Sequence, residues 1–144
     1  MQIIIREAQA EDYLSIGYLI KDELGYKDLN FEKLFERLQI MKSSDKHLTI
    51  VAENDCKIVG FLGFYKGIAY NYDGEYIQII AFAVYKEHQN KGIGSTLLRW
   101  IEDYAINHGI RSFGVNSGLK RTDAHAFYEH NGYLKKSYGF AKDI

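Results

Sequence analysis

Two stretches of the chain carry residue types and spacings that could do chemistry. The first is Gln89-Asn90-Lys91-Gly92-Ile93-Gly94-Ser95, which follows a β-rich run ending in Phe82-Ala83-Val84 and leads into a helical pattern. Two glycines one residue apart let the backbone turn sharply and let a ligand approach with no Cβ in the way. The first amides of a following helix have no carbonyl partner within it, and the helix dipole adds positive potential at that end. Together they form an anion site, for which phosphate is the usual guest. Lys91 adds a mobile positive charge at the rim. The second stretch is A-H-A-F-Y-E-H-N-G-Y, Ala124 to Tyr133. On a helix Phe127 and Tyr128 point about 100° apart, so one can face a core while the other offers its hydroxyl elsewhere. Such a hydroxyl serves either as a proton donor or as the hydrogen-bonded tip of a partly buried ring.

Spacing and composition narrow the choices. A dinucleotide fingerprint needs a third glycine where Leu97 stands, and G-x-x-x-x-G-K-[ST] is absent. The chain has 144 residues, enough for one domain with a substantial core, and 47% hydrophobic with 26% charged residues is a globular balance. A net charge of −1 gives no basic footprint for nucleic acid. No apolar run approaches the roughly 20 residues of a membrane span, and Met-Gln-Ile-Ile-Ile-Arg does not read as a signal peptide. The single Cys56 cannot pair within the chain, which fits a cytoplasmic location. No Cys/His cluster has metal-ligand spacing, since His125 and His130 do not share a helix face. Proline is absent, and 12 tyrosines are either core rings with hydrogen-bonded tips or the lining of a site for a cationic amine.

The elements that must position these stretches follow from periodicity. Residues 2–6 form a short strand. Ala8 to Asp12 leads into a helix reaching about Leu24, with Glu11 and Asp12 at its positive end and Gly25 as its stop. Asn30 caps a second helix whose stripe is Phe31, Leu34, Phe35, Leu38 and Met41. Strands are expected over 47–53, 57–66 and 75–84, with Gly60 and Gly63 as bends and turns at Asn54-Asp55 and Asp73-Gly74. A helix spans about Gly94 to His108, a strand 110–116, a short helix capped by Thr122 runs to Asn131, and a last strand covers 133–141. The order β-α-α-β-β-β-α-β-α-β implies a single α/β (α+β) domain over 1–144, a mixed sheet flanked by helices on both faces, with a right-handed crossover after residue 84.

The loop reads as Q/R-x-x-G-x-G/A, and this resembles the coenzyme A pyrophosphate loop of the GNAT superfamily of acetyl-CoA-dependent N-acetyltransferases. The element order is similar to the GNAT topology over the whole chain, and Ala124 to Tyr133 looks like the family's C-terminal motif A-x-x-F/L-Y-x-x-x-G-F/Y. The resemblance implies acetyl-CoA as acyl donor and a primary amine that attacks the thioester directly. It implies that Gln89, Asn90, Lys91, Gly92, Ile93, Gly94 and Ser95 hold the pyrophosphate. Phe82, Ala83 and Val84 would meet the pantetheine, with Asn116 at the end of the neighbouring strand. An N–H near Val84 would steady the oxyanion. Tyr128 would lie near the sulfur and protonate the departing thiolate, a phenol of pKa about 10 being a suitable acid for a thiol of about 8.5 to 9.

The match departs from the pattern in two places. Many relatives carry a glutamate base in the central strand where this chain has Gln78, which cannot act as a base. Glu75 is the nearest carboxylate, three residues earlier and on the opposite face of a regular strand; it is either the base, reached through a bulge, or a solvated residue after a turn. Many relatives also have Asn where Arg121 stands, and Arg121 is either a phosphate contact or part of a solvated basic loop. The acceptor site is expected among residues 23–30 and 65–76, with Tyr26, Tyr65, Tyr72, Glu75 and Gln78 as candidates. Aromatic and acidic residues there suit a small cationic amine, although a peptide or protein amine fits the same chemistry. The alternatives are a non-catalytic acyl-CoA sensor of the same fold, which Gln78 favours, and another nucleotide-binding α/β domain. Homodimerisation is common in such folds; no residue here shows it.

Overall fold

Alternating apolar residues and short turns produce a five-stranded sheet in the order β1-β2-β3-β4-β5, seen in a computed structural model that describes residues 2–144. In chain order the elements are β1 (Ile3–Glu7), α1 (Tyr13–Asp22), α2 (Phe31–Lys42), β2 (His47–Asn54), β3 (Lys57–Ile68), β4 (Glu75–Val84), α3 (Ile93–Asn107), β5 (Phe113–Val115) and α4 (Thr122–His130). The strands β1 to β4 pair antiparallel with their sequence neighbours. The crossover through α3 then sets β5 beside β4, with the Ile77 N–H donating to the Ser112 carbonyl at 2.9 Å. The chain divides into two compact units, Met1–Gly114 and Val115–Ile144. The first holds β1 to β4 and α1 to α3; the second holds α4 and the segment after it.

The expected mixed α/β architecture forms, and most boundaries fall within a few residues of the periodicity. Asn30 caps α2, its side chain accepting from the Lys33 N–H at 3.0 Å. The turn between β2 and β3 puts Asp55 and Cys56 at φ 50° and 65°, the pair of left-handed residues that a tight hairpin needs. Two expectations are corrected. Residues 133–141 form no strand: the alternation is present, but Leu134, Tyr138 and Phe140 stay 76%, 70% and 95% exposed, and no ladder pairs the segment. Thr122 is the first residue of α4 and Arg121 its cap position, with no side-chain capping bond. The first helix begins at Tyr13, as expected, and is entered through a 3-10 turn over Ala10–Asp12.

Asp12 turns inward to accept from the Gln9 N–H at 2.8 Å and from Arg6 Nη1 and Nη2 at 2.7 and 3.0 Å. Arg6 also binds Glu53 across the β1–β2 ladder, at 2.9 Å. The acid thus ties the first strand, the second strand and the helix start together instead of merely facing the helix dipole.

Two bulges set which side chains face which way. Ala52 pairs with Gly60 but Glu53 with Ile58, which leaves Val59 as the extra residue in β3. Gly63 pairs with Ala81 but Phe64 with Ile79, which leaves Ile80 extra in β4. Both glycines expected as bends adjoin these bulges. On one face Val51, Phe61 and Ala83 pack with Ile16 and Leu19 of α1 and Leu34 and Leu38 of α2. On the other, Ile50, Leu62, Phe64, Ile77 and Ile79 are buried, as is the α3 stripe Leu97, Leu98, Ile101 and Ala105, and Phe64 meets Tyr104 at 5.4 Å between ring centroids.

Candidate active site

The loop from Val84 to α3 is built in three short steps. A 3-10 turn over Lys86–His88 follows β4, and Gln89 closes it by donating its N–H to the Lys86 carbonyl at 3.2 Å. Asn90 and Gly92 then take positive φ, 62° and 83°. At Gly92 this is the left-handed conformation that any Cβ would strain, and Gly92 is the cap position of α3. The backbone therefore turns straight into the helix, as the spacing of the glycines predicts. Gly94 lies inside the helix and is not needed for a positive φ.

The start of α3 suits an anion. No side chain caps it, and no acidic residue occupies its first turn. The first intrahelical amide bond runs from Thr96 N–H to the Gly92 carbonyl at 3.0 Å. The N–H groups of Ile93, Gly94 and Ser95 come before that bond, so no carbonyl of the helix satisfies them. Thr96 Oγ1 donates to the same Gly92 carbonyl at 2.7 Å, so its hydroxyl proton is used within the first turn. Lys91 is exposed beside the turn. These residues fit a diphosphate: donors without acceptors, a dipole of the right sign, and a glycine where a Cβ is disfavoured.

On β4 the sheet register places the remaining candidates. Gln78 pairs with Tyr65, and Ala81 and Ala83 pair with Gly63 and Phe61, so Gln78 projects on the α1/α2 face. In a regular strand Gln78 and Val84 would share a face. The extra residue at Ile80 puts them on opposite ones, because Val84 pairs with Gly60. Glu75 pairs with Ile68 and shares the α3 face with Ile77, opposite to Gln78, and its Oε2 meets Lys46 Nζ at 3.1 Å. The structure therefore brings Tyr65 and Gln78 together and separates both from Glu75.

Around Gln78 runs a row of aromatic groups. His47 pairs with Tyr65 across β2 and β3, with ring centroids 5.9 Å apart. The Tyr65 hydroxyl lies 2.7 Å from that of Tyr76, and this hydrogen bond pushes the Tyr76 hydroxyl up from its ordinary pKa. Both rings lie over Gly67, where an added Cβ would come within 3.0 Å of Tyr65 and 3.1 Å of Tyr76. Tyr72 continues the cluster, 6.2 Å from Tyr76, and is 47% exposed. Tyr26 stands apart on the connection between α1 and α2, 62% exposed. Tyr76 lies at the end of the 65–76 segment expected around the acceptor. It stands two residues before Gln78, but only the β3–β4 register shows that it meets Tyr65.

The C-terminal unit carries Tyr128 on α4. Burial pushes its hydroxyl up, and the charge of Arg121 draws it partly back. Its ring meets those of Phe127 and Tyr133 at 5.5 and 5.8 Å. Arg121 and Asn116 are exposed in the same unit, before the helix. A phenol held protonated through neutral pH is the state that a proton donor needs.

Comparison with known proteins bears on what this arrangement serves. The model of the acetyltransferase (GNAT) family matches residues 6–133. An uncharacterised N-acetyltransferase of Bacillus subtilis, YhdJ, is 25% identical over 143 residues, covering 99% of both chains. An aminoalkylphosphonate N-acetyltransferase of Salmonella typhimurium is 27% identical over 144 residues, covering 97% of this chain and 90% of that one. Among solved structures, a transcriptional regulator from Bacillus halodurans superposes with a TM-score of 0.91 at 26% identity, over 99% of this chain and 100% of that one.

Proposed function

We propose, for a chain that belongs to the acetyltransferase (GNAT) family and uses acetyl-CoA, that it moves the acetyl group to a primary amine by direct attack in a ternary complex. The observation that carries this reading is the start of α3, uncapped by any side chain and entered through Gly92 at φ 83°. Acetyl-CoA supplies a thioester, whose acyl carbon accepts an amine and whose thiol departs. The amides of Ile93 to Ser95, with Lys91 at the rim, hold the pyrophosphate. Phe82, Ala83 and Val84 line the pantetheine arm, and the Val84 N–H stabilises negative charge on the carbonyl oxygen. Tyr128 donates the proton that the departing thiolate takes up, and its raised pKa keeps that proton in place at neutral pH.

The acceptor is a small cationic amine held against Tyr65, Tyr72 and Gln78, with Tyr26 on the α1–α2 connection. Aromatic faces attract an ammonium group, and the phenol oxygens and the Gln78 amide accept its hydrogen bonds. Gln78 has no proton-accepting chemistry, and Glu75 faces away from it in an ion pair with Lys46. The amine is therefore consumed from its neutral fraction. The aminoalkylphosphonate N-acetyltransferase of Salmonella typhimurium supports an amine acceptor as a class.

A thiol-release assay with polyamines, aminoglycosides, aminoalkylphosphonates, amino acids and peptides tests the proposal. Amine-dependent release that falls in Tyr128→Phe supports it. Coenzyme binding with no amine-stimulated release would instead favour an acyl-CoA sensor, the reading to which Gln78 points.

A further inference from the structure

We infer that Gln89 is a positioning residue, a latch that ties the coenzyme loop to the end of β4, a role that rests on the loop's being the pyrophosphate site. Its Nε2 donates to the Val84 carbonyl at 2.9 Å. Its own backbone N–H donates to the Lys86 carbonyl at 3.2 Å. The donors that Gln89 would present to a phosphate are thus directed into the protein, apart from the second proton of the amide. The residue spans the 3-10 turn Lys86–His88, from the last residue of the strand to the left-handed pair Asn90 and Gly92 that opens α3.

The latch acts in two ways. It fixes one end of the turn, so that the amides of Ile93 to Ser95 are ordered before a ligand arrives and less freedom is lost on binding. It also satisfies the Val84 carbonyl, a partial negative charge at the loop's entrance that a diphosphate would otherwise meet. The Lys86 N–H also reaches Glu23 Oε2, at 3.3 Å, a longer contact from an exposed lysine. The assignment separates two jobs within the loop: Gly92 to Ser95 bind, and Gln89 holds them.

Three variants test it, none of which touches the core because Gln89 and Gly92 are both exposed. Gln89→Met keeps the length and removes the donor. Gln89→Arg keeps a donor. Gly92→Glu blocks the site itself. Calorimetric titration with coenzyme A should show about a tenfold loss of affinity in Gln89→Met and a return to within about threefold in Gln89→Arg, as expected when one hydrogen bond to a preorganised loop is removed and replaced. Hydrogen exchange over residues 85–95 in the ligand-free protein should quicken in Gln89→Met and not in Gln89→Arg. The KM for acetyl-CoA should rise in Gln89→Met and recover in Gln89→Arg. If Gln89→Met binds coenzyme A as the wild type does while Gly92→Glu does not, the latch is wrong and the loop reading stands. If Gly92→Glu also binds normally, the loop reading fails first. Weaker coenzyme A binding in Gln89→Met with unchanged exchange, and no recovery in Gln89→Arg, would make Gln89 a direct coenzyme contact and overturn its positioning role.

Discussion

Gln78 stands over Gly114: a Cβ built on Gly114 would lie 2.7 Å from the Gln78 Oε1 atom. Gly114 is thus the residue that gives Gln78 its place between β4 and β5. Gly114→Ala should push the Gln78 side chain off this position. The amide end is flexible, so the stability cost is about 1 kcal/mol, while KM for the amine should rise several-fold with KM for acetyl-CoA unchanged. Adding Gln78→Ala should recover the stability and not the amine KM. Unchanged amine kinetics in Gly114→Ala would remove Gln78 from the acceptor site.

Tyr128→Phe keeps the ring contacts with Phe127 and Tyr133 and removes only the hydroxyl. A general acid contributes about 100-fold or more to a rate, so kcat should fall by about that factor with coenzyme affinity within about threefold of wild type. Because burial raises the Tyr128 pKa, the wild-type rate should hold through neutral pH and decline only above the ordinary tyrosine range, near 10. The phenylalanine variant should lack that alkaline limb. A kcat equal to wild type would show that the thiolate takes its proton from elsewhere.

Asp12 is a stability prediction. Burial alone would raise its pKa, but the hydrogen bonds from Arg6 and from the Gln9 N–H, with the Arg6 charge, outweigh this and hold it below the ordinary 3.8. A carboxylate with a depressed folded-state pKa stabilises the fold fully above its unfolded value and loses that contribution as pH falls through its folded value. Unfolding in urea should therefore show a loss of stability below about pH 4 that Asp12→Asn lacks. At pH 7 the asparagine variant should be less stable by about 2 kcal/mol, less than a fully buried pair because the Arg6 side chain is 34% exposed. Equal urea midpoints at pH 7 would mean that the Arg6–Asp12–Glu53 network contributes no net stability.

Much of the fold is legible in the residues themselves. The stripe of α2, its Asn30 cap, the hairpin turn (expected at Asn54-Asp55, found one residue later at Asp55-Cys56) and the glycine-to-helix turn at Gly92 are local features, and local chemistry is enough to find them. The positions of Gln78 and Val84 are not local. Each of the two bulges depends on how one strand meets its neighbour, and no residue in β4 signals that Ile80 is the extra one. The alternation therefore puts Gln78 and Val84 on one face, whereas the ladder puts them on two. Residues 133–141 err in the other direction: Leu134, Tyr138 and Phe140 alternate like a strand, but alternation supplies a face and not a partner. The separation of Glu75 from Gln78 follows from simple parity, because no bulge falls between them.

The most direct test of the coenzyme site is a calorimetric titration of coenzyme A into the wild type and into Gly92→Glu, with thermal unfolding of both as a control. The glutamate adds bulk and negative charge at the uncapped start of α3, and a Cβ at φ 83° adds strain of about 1–2 kcal/mol. The account predicts a folded variant whose affinity for coenzyme A is at least about 30-fold weaker, a loss of about 2 kcal/mol. A folded Gly92→Glu that binds coenzyme A as tightly as the wild type would contradict it.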